Sequence, residues 1–200
     1  GGGVTSTSKP KCCILKNGNF LLSAKNNYSI FNPTTKSFIS QNKDFSITNA
    51  YSPNQGRYMI TLDNGNIAVL TTQPASGTRT LIKFHIFKQD TASSETLTMV
   101  SSSSGTQINT TSVSNPENNG IHNFLAINNG FIISWMISNK SYYRIYDNSG
   151  TAIISETQAH TSNYHYITFS RLPYGYNFMM VYGNTGSAKV TPYTFKTSLL

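Results

Sequence analysis

Carboxylates are the first residues to consider for chemistry, because hydrolysis of a glycosidic bond needs two of them converging on that bond. The chain has seven, and most fall in or beside predicted turns: Asp44, Asp63, Asp90, Glu95, Glu117, Asp147 and Glu156. Turn carboxylates commonly accept hydrogen bonds from their own backbone, which is a structural role. The sequence also lacks a nucleophile elbow, a His-Glu-x-x-His helix and a phosphate-binding glycine loop. We therefore expect no catalytic residues, and a degenerate glycoside-processing enzyme is an alternative.

Cysteine and histidine form no pattern typical of a disulfide or a metal site. Cys12 and Cys13 are adjacent, so in a strand they point to opposite faces and cannot bridge each other. The histidines have no spacing that resembles a zinc site: His85, His122, His160 and His165. We expect neither a metal nor a cofactor.

Aromatic residues favour a binding role. The chain has 12 Tyr, 11 Phe and one Trp, and Tyr with Asn and Ser is suited to gripping sugars or protein epitopes. Four tyrosines cluster near one predicted turn and are the candidate ligand-binding residues: Tyr164, Tyr166, Tyr174 and Tyr176. The alternative is that some of them belong to the core, which we also expect for Trp135 within its apolar strand.

Three Asn-x-Ser/Thr sequons lie in predicted turns or loops, where N-glycosylation would need them: Asn27, Asn109 and Asn139. Three is no more than chance gives in a chain with 50 Ser and Thr. The stretch from Thr91 to Ser114 is especially rich in Ser and Thr. It is interpreted as a flexible loop, with O-linked sugars as the alternative.

The composition places these residues in one soluble, β-rich domain covering 1–200. Charged residues are only 11% of the chain, which excludes coiled coils and long charged helices. No apolar run is long enough for a membrane-spanning helix. The net charge of +8 comes from scattered lysines, and no nucleic-acid-binding module is recognisable, which argues against nucleic acid as a partner.

A sequence repeat indicates how the chain is organised. The segments 15–22, 62–69 and 127–133 each carry Asn-Gly between apolar runs, and 172–179 is a degenerate fourth copy. Asn-Gly predicts a hairpin with a type I′ turn, in which both central residues have positive φ. Each of the first three repeats predicts a four-stranded antiparallel meander, and the fourth lacks its outer strand. The repeats cover residues 11–44, 57–104, 121–158 and 163–197.

Both faces of the second strand are apolar in most repeats, as Leu21 with Leu22 and Ala68 with Val69 illustrate. A sheet with one wet face would alternate apolar and polar residues. Strands covered on both sides are typical of small sheets stacked in a β-propeller. We therefore predict an all-β fold, either a four-bladed propeller, closed by residues 4–8, or a segment of a larger one. A β-sandwich is the alternative.

The third repeat carries a more specific pattern. It reads Asn129-Gly130-Phe131-Ile132-Ile133-Ser134-Trp135, followed by Tyr143-Arg144-Ile145-Tyr146-Asp147-Asn148-Ser149-Gly150-Thr151. It resembles extracellular β-propeller repeat proteins, in which a glycine hairpin leads into a Trp-bearing strand and a Tyr-x-Asp-x-x-Gly turn. The other repeats depart from it, with Ser23, Leu70 and Met180 at the Trp position. The resemblance implies an adhesive, ligand-binding or scaffolding module.

The sequence thus predicts a non-catalytic extracellular or cell-surface module for adhesion, glycan or protein binding, or scaffolding. Its partners would be glycans or proteins on extracellular surfaces. A structural subunit of an extracellular filament is an alternative, because unpaired edge strands could template self-assembly. A chain that begins Gly-Gly-Gly is expected to be a mature product, a tagged protein or a fragment.

Overall fold

The computed structural model describes twelve ranges of the chain: 11–24, 26–47, 58–74, 79–91, 93–102, 104–110, 113–114, 121–137, 140–159, 166–170, 176–184 and 187–196. All regular structure in these ranges is β-strand, arranged in four antiparallel sheets without any helix. A helix able to cross a membrane is accordingly not found among them. The predicted all-β class is confirmed.

The first sheet is a meander in chain order. Its four strands are β1 (Lys11–Ile14), β2 (Phe20–Ala24), β3 (Asn27–Asn32) and β4 (Ser37–Asp44). The strand β4 runs on to Asp44, which pairs with Asn27 after shifts in register. This sheet therefore follows the plan predicted for the first repeat.

The second sheet has more strands than its repeat predicts. Its main strands are β5 (Met59–Thr61), β6 (Ile67–Pro74), β7 (Arg79–Gln89) and β8 (Leu97–Met99). Two short strands, β9 (Thr106–Gln107) and β10 (Val113–Ser114), also pair with β7. Part of the segment predicted to be a loop is therefore strand.

The third and fourth sheets again follow chain order. The third comprises β11 (Ile121–Ile127), β12 (Gly130–Ile137), β13 (Lys140–Asp147) and β14 (Ala152–Gln158). The fourth comprises β15 (Tyr166–Ser170), β16 (Tyr176–Asn184) and β17 (Ser187–Lys196). Three strands are those predicted for the fourth repeat, whereas the suggested closing strand 4–8 lies outside the described residues.

The chain divides into two compact units, each with its own core. The first unit holds the first sheet, β5, β6 as far as Gln73, and β7 from Lys83. In it the first and second sheets share one core of nine buried residues: Leu15, Leu21, Tyr28, Ile30, Phe45, Met59, Ile67, Val69 and Phe87. These two sheets therefore pack face to face.

The second unit includes the third and fourth sheets, together with residues 107–110 and the start of β7. Its core joins the third and fourth sheets through six buried residues: Ile127, Ile132, Tyr143, Ile145, Ile167 and Phe169. On the other face of the third sheet Trp135 is fully buried and stacks on Tyr142, with ring centroids 6.3 Å apart. The expected core position of Trp135 is confirmed.

The hairpins lie where the sequence predicts them, but the type I′ turn is wrong. In the first hairpin the Gly18 amide donates to the Leu15 carbonyl over 2.9 Å, and only Gly18 has a positive φ, of 86°. This is the pattern of a type I turn followed by a left-handed bulge residue. Gly65 takes the same place in the second hairpin, with φ at 90°. In these two hairpins the connection is longer than two residues, since Ile14 pairs with Phe20 and Thr61 with Ile67, and it therefore does not need two left-handed residues. The third hairpin has a two-residue connection, Asn128-Asn129, in which Asn129 alone has a positive φ, of 58°.

Candidate functional site

Asp147 holds the turn that follows β13. Its Oδ1 accepts hydrogen bonds from the amides of Ser149 and Thr151, at 2.9 and 2.8 Å, and from the Ser149 hydroxyl. Partial burial acts to raise the pKa of this carboxyl, but these hydrogen bonds outweigh it and leave the pKa below its usual value. An ionised carboxylate whose oxygen is used in this way has a structural role.

The other described carboxylates are likewise engaged. Glu156 accepts two hydrogen bonds from Thr110, at 2.7 Å from the amide and 2.8 Å from the hydroxyl. The other four each make a contact of their own: Asp44 with the Ser46 amide, Asp63 with the Asn129 amide, Asp90 with Lys88 and Thr98, and Glu95 with Lys43 on β4. Glu117 lies outside the described residues. None of these contacts brings two of the described carboxylates together at one site.

Histidine forms no metal centre in the part of the chain that the structure describes, where no three His, Cys, Asp or Glu side chains group together. His85 is buried, with Nε2 at 3.2 Å from the Thr71 hydroxyl. Its ring also lies close to Gly105, where an added Cβ would be 2.6 Å away. His85 is therefore a packed residue of the second sheet.

The predicted tyrosine cluster falls largely outside the described residues. Tyr166 begins β15 and Tyr176 begins β16, while Tyr164 and Tyr174 are not described. The clustering of these four side chains stays a prediction.

The sequons are placed differently from one another. Asn27 begins β3 and is partly exposed, and Asn139 lies outside the described residues. Asn109 is in a connection, as predicted, but only 1% of it is exposed and its Oδ1 accepts the Ile82 amide over 2.7 Å. A glycan on Asn109 would have to break this packing, because a buried amide side chain has no room for a sugar.

The first sheet has an apolar face that its core does not use. Ile14 pairs with Phe20, Phe20 with Phe31, and Phe31 with Phe38, so these four side chains form one row across all four strands. Ile14 is 60% exposed and Phe38 46% exposed, and the rings of Phe31 and Phe38 are 5.3 Å apart. We call this surface, with Leu22 beside the row, the outer face.

A groove of about 410 Å³ adjoins the outer face. The described residues of its lining are uncharged and mix apolar side chains with amides and hydroxyls: Leu22, Ser23, Ala24, Asn26, Asn27, Tyr28, Ser29, Phe38 and Asn42. The Asn42 amide donates to the Ser29 hydroxyl over 3.2 Å, which holds β4 against β3 at this groove. The groove and the outer face together are the best candidate for a binding surface in the described chain.

Sequence reasoning did not single out this surface. Ile14, Phe20, Phe31 and Phe38 are far apart in the chain and each is an ordinary strand residue, which predicts core. Only the register of the four strands brings them into one row. Alternation within each strand could have signalled the row, but not that it is exposed.

The two cysteines are free and differ in environment. Cys12 is exposed and pairs with Leu22, which places it on the outer face. Cys13 points to the core, and burial raises the pKa of its thiol to about 11, with Thr61 opposing the shift by a hydrogen bond. Burial raises the pKa of Cys12 as well.

We expect alkylation in dilute protein to discriminate between these thiols. The thiolate is the reactive form, so Cys13 should react with iodoacetamide at least about tenfold more slowly than Cys12 near neutral pH. Cys12→Ser and Cys13→Ser each leave one thiol for measurement by mass spectrometry. The two rates should converge in denaturant, and similar rates in the folded protein would contradict the assigned burial of Cys13.

Comparison with known proteins gives a likeness of fold only. No family model matches the chain, and no curated protein matches it. A protein of unknown function from Dyadobacter fermentans aligns with a TM-score of 0.51 and 12% identity, over 95% of this chain and 62% of its own. This chain thus spans about three-fifths of that protein. An endo-arabinase from Bacteroides thetaiotaomicron aligns with a TM-score of 0.45 and 12% identity, over 94% of this chain and 75% of its own.

Proposed function

We propose that this chain is a non-catalytic β-propeller-type module of the extracellular space or cell surface, which works by binding in adhesion, recognition or scaffolding. Support for the propeller comes from four successive antiparallel sheets and from face-to-face packing inside each unit. The extracellular placement rests on the resemblance of the third repeat to surface propeller repeats.

One observation carries the non-catalytic assignment: each described carboxylate accepts a hydrogen bond or forms an ion pair, and none of these contacts joins two carboxylates. Glycoside hydrolysis needs an acid and a base or nucleophile about 5 to 10 Å apart across one bond. Glu156 instead fixes Thr110, and Asp147 fixes its own turn. The groove on the first sheet has no acid among the described residues of its lining, which suits recognition of a glycan or protein better than catalysis.

Hydrolysis assays with Glu156→Gln test this function. We expect no turnover of a panel of neutral polysaccharides by the wild type or by the variant. The substitution should nevertheless lower the stability by about 1 kcal/mol, because a charge-assisted hydrogen bond to Thr110 is weakened. Thermal unfolding followed by circular dichroism measures that loss.

A second arm measures binding. Retention of the wild type on immobilised glycans or on cell surfaces is expected to persist in Glu156→Gln. Turnover that disappears in the variant would instead establish the degenerate glycoside-processing enzyme and overturn the proposed function. Alanine substitutions of the serine and asparagine residues that line the groove then show whether the ligand binds there.

A further inference from the structure

We propose that Asn27 is an N-glycosylation site and that the innermost sugar of its glycan, an N-acetylglucosamine, lies in the groove of the first sheet. The proposal rests on the function proposed above, because N-glycosylation needs a chain that is exported from the cell. It also deepens that function, since the glycan that the groove recognises is then the chain's own.

The sequon itself is part of the groove. Its two required residues, Asn27 and Ser29, both lie in the lining. Tyr28 between them belongs to the core. Because side chains alternate along a strand, Asn27 and Ser29 lie on the opposite side, which is the outer face. A sugar attached to the Nδ2 atom of Asn27 therefore begins inside the groove.

The fold leaves room for a sugar at this position. Asn27 is partly exposed and is the first residue of β3, directly after a hairpin connection. Its partner on β2 is Ala24, which has a small side chain and is exposed. The groove volume of about 410 Å³ lies in the range of small-molecule sites, about 300 to 1,000 Å³. The innermost sugar can therefore be accommodated without displacing a packed side chain.

The groove also offers the surfaces on which a sugar packs. Phe38 is 46% exposed and lies in the lining with Leu22. A pyranose ring presents apolar C–H groups on its faces, so covering these side chains removes apolar surface from water. Asn26 and Asn42 lie in the same lining, where their amides can hydrogen-bond the hydroxyl and acetamido groups of the sugar. The lining thus matches both sides of the chemistry of N-acetylglucosamine.

The sequon at Asn109 shows how the fold discriminates between such sites. Asn109 is only 1% exposed, and its Oδ1 accepts the Ile82 amide. Thr110 of the same sequon is held by Glu156. Sequons are modified while the exported chain is still unfolded, so the fold must later accommodate the sugar. We therefore expect folded, secreted protein to carry a glycan at Asn27 and none at Asn109.

The test is to secrete the intact chain from a eukaryotic cell line and to map its glycans by mass spectrometry. The protein and all its variants carry Asn139→Gln, because Asn139 lies outside the described residues. Peptide N-glycosidase in heavy-oxygen water converts each modified Asn to a labelled Asp, which identifies the site. We expect the label at position 27 and its absence at position 109.

Ser29→Ala and Ser29→Thr are a matched pair for this measurement. Ser29→Ala should abolish the label at position 27, because the sequon loses its hydroxyl. Ser29→Thr should retain the label, because threonine also completes the sequon and keeps a hydroxyl that can accept the Asn42 amide. Circular dichroism checks that both variants are folded.

Thermal unfolding tests where the sugar lies. The glycan is trimmed enzymatically to its innermost sugar, and this form is compared with sugar-free protein from a bacterial host. We expect the sugar to raise the midpoint of unfolding by about 2 to 4 °C, and this gain to disappear in Phe38→Ala. Ile153→Ala should keep the gain, because Ile153 is 38% exposed on β14 and does not line the groove.

Unmodified Asn27 in the folded, secreted protein would overturn the glycosylation site, and so would equal labelling of positions 27 and 109. No gain in stability, or an equal gain in the wild type, Phe38→Ala and Ile153→Ala, would overturn the place of the sugar in the groove. Retention of the sugar-free protein on immobilised glycans or cell surfaces tests the proposed function separately. Protein that is retained but unmodified at Asn27 would overturn the site and leave that function intact. Protein that is modified at Asn27 but not retained would support the site and contradict the proposed function.

Discussion

Gly130→Ala is expected to destabilise the third sheet by about 3 kcal/mol or more, a large effect for a single added methyl group. A Cβ at Gly130 would clash with the carbonyl oxygen of Tyr146 and would lie 3.1 Å from the Cα of Asp147. Both obstacles are backbone atoms of β13, the strand paired with Gly130. The clash can be relieved only by moving one strand of the ladder, because no flexible side chain is there to give way.

Gly18→Ala is the matched comparison for this effect. Gly18 has open space around its missing Cβ but a φ of 86°. Alanine there should lower the stability only through the strain of a left-handed backbone, by about 1 to 2 kcal/mol. Urea unfolding of both variants, followed by circular dichroism, separates steric exclusion from backbone strain. Equal losses in the two variants would show that close approach to β13 is not what requires glycine at position 130.

The strands of this fold can be predicted from the sequence because their signals are local. Asn-Gly pairs between apolar runs predict the hairpins. The structure has strands on both sides of Gly18 and Gly65, whereas Gly130 is the first residue of β12 and pairs with Ile127. The turn type cannot be read from the same dipeptide. It depends on how many residues connect the paired positions. The register of the strands sets that number, and the dipeptide Asn-Gly does not.

Two parts of the second sheet were beyond sequence reasoning for a different reason. The strands β9 and β10 have two residues each, which is too short to show any periodicity. They exist because β7 is long enough to offer further backbone groups for pairing. Tertiary anchors such as the Asn109 side chain on the Ile82 amide then hold the connection in place.

The exposure of the candidate site is harder still to predict from the sequence. Phe20 and Leu22 have the same chemistry and the same place in the repeat as Ile67 and Val69, yet only the second pair is fully buried. No residue near Phe20 signals this difference in burial. The apolar residues on both faces of β2 predict burial on both sides. Only the structure shows that the side chains of Ile14 and Phe38 are exposed.

Alkaline pH is expected to weaken the fold through Tyr146. Burial raises the pKa of this phenol from 10 to about 12, with the Glu156 charge adding to the shift and Arg144 opposing it. Below pH 10 the folded and unfolded chains both keep the proton. Between pH 10 and about 12 the unfolded chain releases it while the folded chain retains it, so stability falls as the pH rises. A shift of this size corresponds to a loss of about 3 kcal/mol.

The variant Tyr146→Phe isolates this contribution, because it removes the titrating phenol and keeps the ring that stacks on Phe131 at 5.2 Å. We expect Tyr146→Phe to be somewhat less stable than the wild type near pH 8, since a buried polar contact is lost, but to lose less stability on going to pH 12.

Tyr58→Phe, at a tyrosine 37% exposed, is the matched control, and urea unfolding at a series of pH values provides the measurement. The difference between the two variants compares the buried phenol of Tyr146 with the more exposed phenol of Tyr58, because the other titrating groups are common to both. If both variants followed the wild type in parallel from pH 8 to pH 12, the alkaline loss would have to be assigned to other groups, with the buried Cys13 thiol the first to examine by Cys13→Ser.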